Sequence, residues 1–97
     1  MFNKFMKIIF VKSLDGYLWD GDSPVAKEEN RGKAARMRVG NERTIGLILP
    51  CGHHAVLDGW KIEDIDTDAP SATPSIFCSP QIPCWHGYLT KGELIQV

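Results

Sequence analysis

Short apolar segments separated by two-residue turns are the feature that most restricts the folds open to this chain. Asp15-Gly16 and Lys91-Gly92 each stand between apolar runs, and such a pair is a strong signal for the turn of a β-hairpin. A second hairpin is expected between Thr44–Leu49 and Ala55–Leu57, with Cys51 and His53 close to its bend and Asp58-Gly59 as the next turn. Several short strands with turns about every ten residues are typical of a small β domain. The chain is therefore predicted to be all-β, or β-rich α+β, as an antiparallel domain built from hairpins.

The 97 residues fit one domain, which divides into three parts. Residues 1–19 are predicted to form an N-terminal hairpin that turns at Asp15-Gly16. Residues 20–43 are polar and carry charges of both signs, which predicts a loop or a short helix. Residues 44–97 are predicted to form a zinc-binding β core, and its last two strands flank the turn at Lys91-Gly92.

The motif Pro-Cys-x-His occurs twice, and each copy stands at the edge of a predicted strand. Residues i and i+2 of a strand point to the same face, so the cysteine and histidine of each copy can point the same way. Two such arms supply two thiolates and two imidazoles, a set that zinc accepts in a closed tetrahedron and that suits magnesium and calcium poorly. The predicted ligands of one zinc ion are Cys51, His53, Cys84 and His86.

Two alternatives stay open for this ligand set. His54 replaces His53 if the backbone bends, and Cys78, which follows the apolar Ile76 and Phe77, is interpreted as a buried core cysteine, with metal ligation as the alternative. The spacing differs from that of the common zinc finger, so the competing interpretation is two unrelated loop cysteines. All three histidines lie within three residues of a cysteine, which favours zinc.

The net charge and the number of cysteines limit the cellular compartments and the classes of partner that can be expected. A net charge of −1 counts against generic binding to nucleic acid or anionic membranes. The apolar run at residues 8–11 is too short for a signal-peptide core, and nothing approaches the length of a transmembrane helix. Three cysteines are an odd number and too few for a disulfide framework. These observations predict a cytoplasmic protein with thiols or metal-bound thiolates.

The C-terminal half contains a series of short motifs: Pro50-Cys51-Gly52-His53, Trp60, Ala72-Thr73-Pro74-Ser75-Ile76, Cys84-Trp85-His86-Gly87-Tyr88-Leu89 and Lys91-Gly92. In these motifs it resembles an uncharacterised family of small phage and prophage proteins. That family has a Cys/Gly-rich knuckle, a tryptophan, a Ser-Pro-Ser-Ile-like segment and a Cys/His pair followed by an apolar strand and an x-Gly turn. The resemblance covers about residues 44–97 and implies a metal site and a phage origin, in a host cytoplasm. The family knuckle usually carries two or three cysteines, whereas here the second position is His53.

Three functions remain as hypotheses at this point. The first is a non-enzymatic zinc protein that binds a host protein, a defence complex or another phage protein. The second is a small zinc hydrolase with an open metal position, and the third is a nucleic-acid-binding zinc module, which the charge disfavours. Nucleophilic catalysis has little support, because the cysteines beside histidines serve better as metal ligands. A closed site with four protein ligands favours the first hypothesis, in which residues 20–43 are expected to contribute to the contact with a protein partner.

Overall fold

A computed structural model of the chain describes residues 4–78 and 84–97, and these form strands with one short 3₁₀ helix at Glu28–Asn30. Strand lengths vary from two to seven residues. The strands are β1 (Phe5–Lys7), β2 (Ile9–Phe10), β3 (Lys33–Val39), β4 (Glu42–Ile48), β5 (His54–Val56), β6 (Lys61–Glu63), β7 (Ser71–Phe77), β8 (His86–Thr90) and β9 (Glu93–Gln96).

The strands form two sheets, and the first two strands of the chain lie in different sheets. One sheet has the order β1-β9-β8-β7-β6 and the other has the order β2-β3-β4-β5. Neighbouring strands are antiparallel except β2 and β3, which are parallel. Only Ile8 separates β1 from β2, so the chain leaves the first sheet and joins the second within one residue. The buried side chain of Ile8 belongs to the core between them.

One hydrophobic core draws side chains from both sheets. Ile45 and Leu47 of β4 pack in the same cluster as Ile76 of β7, Leu89 of β8 and Leu94 of β9. Alternate residues of a strand face opposite ways, and β4 is buried on both faces because a second cluster covers its other side. That second cluster consists of Leu14, Ala26, Ala35 and Ile48.

The prediction of an all-β, antiparallel, hairpin-based fold is confirmed, and the C-terminal hairpin is its clearest element. Thr90 of β8 pairs with Glu93 of β9 across the two-residue turn. Lys91 and Gly92 have φ values of 48° and 79°, the positive pair that a type I′ turn requires. A hairpin between β4 and β5 was also expected, and Ile48 pairs there with His54.

The predicted N-terminal hairpin over residues 1–19 is wrong. The apolar run after the expected turn, Tyr17-Leu18-Trp19, forms no strand, and β1 and β2 before it pair with β9 and β3. The turn at Asp15-Gly16 exists, since the Tyr17 N–H donates to the Leu14 carbonyl at 2.9 Å. It lies in the segment that carries Leu14 to the second cluster, and it does not join two strands.

The prediction of a loop or short helix over residues 20–43 fails for its second half. β3 occupies Lys33–Val39 and pairs with β4 from Ala34↔Leu47 to Val39↔Glu42. The charged residues of β3 resemble those of a solvated segment, and the sequence did not show that they also make tertiary contacts. The Arg36 guanidinium lies 3.8 Å from the Phe10 ring and donates to the carbonyls of Ile65 and Thr67.

The described part of the chain contains no helix with the length and apolar composition needed to span a bilayer.

Candidate metal centre

Two connections, one from each sheet, bring cysteine and histidine side chains together. The turn between β4 and β5 contains Cys51 and His53, and the connection between β7 and β8 begins at Cys78 and ends with Cys84 and Trp85. The donor atoms of Cys51, His53, Cys78 and Cys84 all lie within 4.8 Å of one another. The group is therefore built between the two sheets.

The β4–β5 turn is held by backbone hydrogen bonds around Gly52. The Gly52 N–H donates to the Leu49 carbonyl at 2.8 Å, and the Leu49 N–H donates to the His53 carbonyl at 2.9 Å. Gly52 has φ +92°, a conformation that costs little only for glycine. The turn thereby reverses the chain within four residues and presents Cys51 and His53 to the same point.

The segment before β3 fixes the turn from its outer side. The Ala26 N–H donates to the Gly52 carbonyl at 2.9 Å, and Arg31 donates from Nη1 to the Pro50 carbonyl at 3.2 Å. A Cβ on Gly52 would lie 3.0 Å from both Arg31 Nε and Val25 Cβ. This close packing restricts the movement of the two ligand-bearing residues.

The separations within the group suit a four-coordinate ion. His53 Nδ1 lies 3.3 Å from Cys51 Sγ and 3.1 Å from Cys84 Sγ. Tetrahedral zinc with bonds of about 2.3 Å to sulfur and about 2.0 Å to nitrogen separates such donors by roughly 3.5 Å. The two distances to His53 Nδ1 are thus close to those of a zinc site, whereas the sulfurs of Cys78 and Cys84, which are bonded to each other, must be reduced and move apart before both can bind one ion.

Backbone N–H groups and burial shape the surroundings of the sulfur atoms. The N–H groups of Cys84 and Trp85 lie 2.6 Å and 3.0 Å from Cys78 Sγ and donate to it. Burial raises the pKa of the Cys51 thiol, and hydrogen bonds from the backbone together with the charge of Arg31 act in the opposite direction. Cys51 is 7% exposed, so a bound cation would compensate its desolvated charge.

Cys78 and Cys84 are also placed to react with each other. Their Cα atoms lie 5.9 Å apart and their sulfurs are in bonding contact, as a disulfide. The same Cα separation also fits two neighbouring ligands of one ion, so the reduced pair can offer two sulfurs to a metal. Cys51 is the free cysteine beside the disulfide.

Three of the four predicted ligands, Cys51, His53 and Cys84, lie in the group, while the place expected for His86 is taken by Cys78. His86 begins β8, and its ring stacks on Phe77 with centroids 3.9 Å apart. The i, i+2 rule required both residues to lie in a strand, but Cys84 precedes β8. The alternation of a strand therefore does not place the side chains of Cys84 and His86 on one face. Pro83, the first residue of the second Pro-Cys-x-His motif, lies outside the described residues.

Cys78 was interpreted as a core residue, and its side chain does pack against the main cluster. The signal that would have indicated a ligand is the pair Cys78 and Cys84 on either side of a segment containing Pro80 and Pro83. Such a pair brackets a turn and can supply two sulfurs to one ion. The apolar neighbours of Cys78 concealed this role.

His54, the alternative to His53, lies outside the group. It is the first residue of β5, and its side chain approaches the other face of the sheet, where a Cβ on Gly46 would lie 3.3 Å from His54 Nε2. Burial lowers the pKa of His54. The alternation along the chain thus separates the two adjacent histidines, as the period of a strand requires.

Three thiols and one imidazole are a set that zinc binds in structural sites, so the residues present fit the predicted metal. The arrangement supplies four protein donors, which is the full coordination of such a site. No family model matches the chain, and no curated protein or solved structure is significantly similar to it.

Proposed function

We propose that the chain is a small zinc-binding protein whose metal is structural and which acts by binding a protein partner. The observation that carries the proposal is the group of four protein donors between the two sheets. A site with four protein ligands leaves no position for a catalytic water, unlike the three-ligand sites of zinc hydrolases. Thiolate and imidazole donors select zinc over the hard cations.

Because the group lies between the two sheets, a bound ion holds them together. Cys51 and His53 belong to a turn of the four-stranded sheet, whereas Cys78 and Cys84 flank a connection of the five-stranded sheet. An ion held by all four links the sheets directly at one end of their shared core. In a domain of this size, the free energy of metal binding contributes to the free energy of folding.

A binding role has further support in an aromatic face on the outside of the five-stranded sheet. Phe5, Ile95 and Tyr88 lie opposite one another on β1, β9 and β8, and the stacked Phe77–His86 pair continues the row across β7 and β8. Phe5, Tyr88 and Phe77 are all exposed. Contiguous exposed apolar surface of this kind marks protein interaction sites.

Residues 20–43 are still expected to contribute to the contact, but fewer of their charges are free than the sequence suggested. Arg36 donates to carbonyls of the loop after β6, and Arg43 pairs with Asp66. The setting proposed for the protein is the cytoplasm of a bacterial host, as the resemblance to small phage proteins implies. Interference with a host defence complex is one role that this setting allows.

Metal content tests the structural part of the proposal. Protein purified under reducing conditions without chelator should contain one zinc per chain by elemental analysis, and Cys78→Ser and Cys84→Ser should lose it. His86→Gln is the matched control and should keep it. Chelator should lower the melting temperature of the wild-type protein. Full zinc content in Cys78→Ser, or an unchanged melting temperature after zinc removal, would contradict the proposal.

The binding role is tested by comparing two variants on one strand. Tyr88→Glu alters the aromatic face, whereas Thr90→Glu adds the same charge two residues along the same face of β8. Immobilised zinc-loaded protein should capture a bacterial protein that Tyr88→Glu loses and Thr90→Glu retains. Identical capture by all three proteins would exclude the aromatic face. The non-enzymatic interpretation would be refuted if the protein turned over a small substrate only with zinc bound, and if His54→Ala lost this turnover while it kept its zinc.

A further inference from the structure

The cysteines of the metal centre differ in exposure and in the sheet to which they belong. Cys51 is buried, Cys78 is half-buried and Cys84 is exposed. Cys78 and Cys84 flank one connection of the five-stranded sheet and have Cα atoms 5.9 Å apart, within the range that a disulfide spans. The pair that can be oxidised is therefore half of the ligand set, and both of its cysteines are more exposed than Cys51.

We propose that the metal centre is a peroxide-responsive switch, in which formation of the Cys78–Cys84 disulfide releases the zinc ion. This inference rests on the proposed zinc site and adds its regulation. The exposed Cys84 thiolate attacks a peroxide oxygen, which breaks the O–O bond, forms a sulfenic acid and releases one water after protonation. The Cys78 thiolate then attacks the Cys84 sulfur and displaces hydroxide, which is protonated to a second water. The two sulfurs lose two electrons in total, and hydrogen peroxide accepts them.

Geometry favours this pair over the others. The N–H groups of Cys84 and Trp85 that donate to Cys78 Sγ keep its thiolate beside the Cys84 backbone, in position for the second step. Cys51 is 7% exposed, so peroxide has little access to it. It is the free thiol that remains when the other two are joined.

Oxidation changes which parts of the fold are linked. The metal joins a turn of one sheet to a connection of the other, while the disulfide joins two positions within the five-stranded sheet alone. After oxidation, only Cys51 and His53 remain as donors, and two ligands from one turn hold zinc far more weakly than four. The link that the metal makes between the sheets is thereby lost, while their shared core and the connection through Ile8 remain.

The test uses the wild-type protein loaded with one zinc ion under reducing conditions. Loading is measured first, and a reduced protein that takes up no zinc would refute the proposed zinc site itself. Hydrogen peroxide is then titrated against loaded protein while a chromophoric chelator reports free zinc and intact-mass spectrometry reports the loss of two hydrogen masses.

The switch predicts one zinc released for each disulfide formed, with peptide mapping that joins Cys78 to Cys84. Dithiothreitol and added zinc should restore the loaded form. Loaded protein that keeps its zinc in a large excess of peroxide would overturn the switch while leaving the zinc site intact. Release accompanied by a disulfide to Cys51, or by sulfinic acid without any disulfide, would overturn it as well.

Discussion

Substituting Gly52 by alanine should weaken the protein at the turn that presents Cys51 and His53. Two effects add at this position. The φ of +92° costs a residue with a Cβ about 1–2 kcal/mol. The new Cβ would also lie 3.0 Å from Val25 Cβ and from Arg31 Nε, and overpacking of this kind costs about 1–3 kcal/mol.

Gly59 provides a matched control. Its φ is +89°, almost the same as that of Gly52, but a Cβ there would meet nothing within 4 Å. Gly59→Ala therefore isolates the backbone effect at about 1–2 kcal/mol, while Gly52→Ala should lose about 2–5 kcal/mol in total. The difference between the variants measures the packing of the turn against residues 25–31.

Urea unfolding of both variants, loaded with zinc and reduced, measures the two losses with the same assay. A competition assay with a chelator of known affinity should show weaker zinc binding for Gly52→Ala only, because only this turn carries ligands. Equal losses of stability and unchanged zinc affinity in both variants would refute the reasoning that the turn is packed and that its geometry sets the metal site.

Two further predictions concern the sheets. Gly87→Ala should destabilise the protein by about 3 kcal/mol or more, because a Cβ there would strike the Ile95 carbonyl oxygen and lie 2.6 Å from the Trp85 ring; a urea midpoint equal to that of the wild type would contradict this contact. Asp66→Asn should leave the unfolding free energy within experimental error, because the Arg43–Asp66 pair lies on the surface. Arg43 lowers the pKa of Asp66, so whatever the pair contributes is present at neutral pH and fades as the pH falls through that lowered pKa. Thermal melts of the wild type and Asp66→Asn should accordingly coincide in acid as they do at neutral pH, and a gap that opens in acid would contradict the sign.

The turns were the most predictable part of the fold. Gly59 and Gly92 follow polar residues between apolar runs, and the positive φ values at both positions are what such pairs specify locally. Pairing partners were less predictable. β1 and β2 are separated by Ile8 alone. Nothing in the local sequence indicates that these two strands belong to different sheets.

β3 was hidden for a different reason. Its charged side chains resemble those of a solvated segment, yet Arg36 lies over the Phe10 ring and bonds to carbonyls distant in sequence. Ala34 and Ala35 are both buried, one on each face of the sheet, so the strand lacks the alternation of large apolar and polar residues that indicates a half-buried strand. Tertiary contacts decide the structure of this segment.

The metal group shows the same division between local and tertiary information. Cys51 and His53 come together as predicted, but they lie in one turn and not in a strand, so their closeness in sequence and not strand alternation brings them together. Cys78 and Cys84 are six residues apart, and their approach depends on how β7 and β8 pair. His86 was favoured over Cys78 because strand alternation was extended to Cys84, which lies two residues before the strand that begins at His86.

Zinc K-edge X-ray absorption of the reduced, zinc-loaded protein tests the central claim most directly. Ligation by Cys51, His53, Cys78 and Cys84 predicts a first shell of three sulfurs at about 2.3 Å and one nitrogen at about 2.0 Å, and this shell should be unchanged in His86→Gln. A shell of two sulfurs and two nitrogens that changes in His86→Gln, or a shell with an exchangeable oxygen, would contradict the claim that these four side chains form a closed structural site.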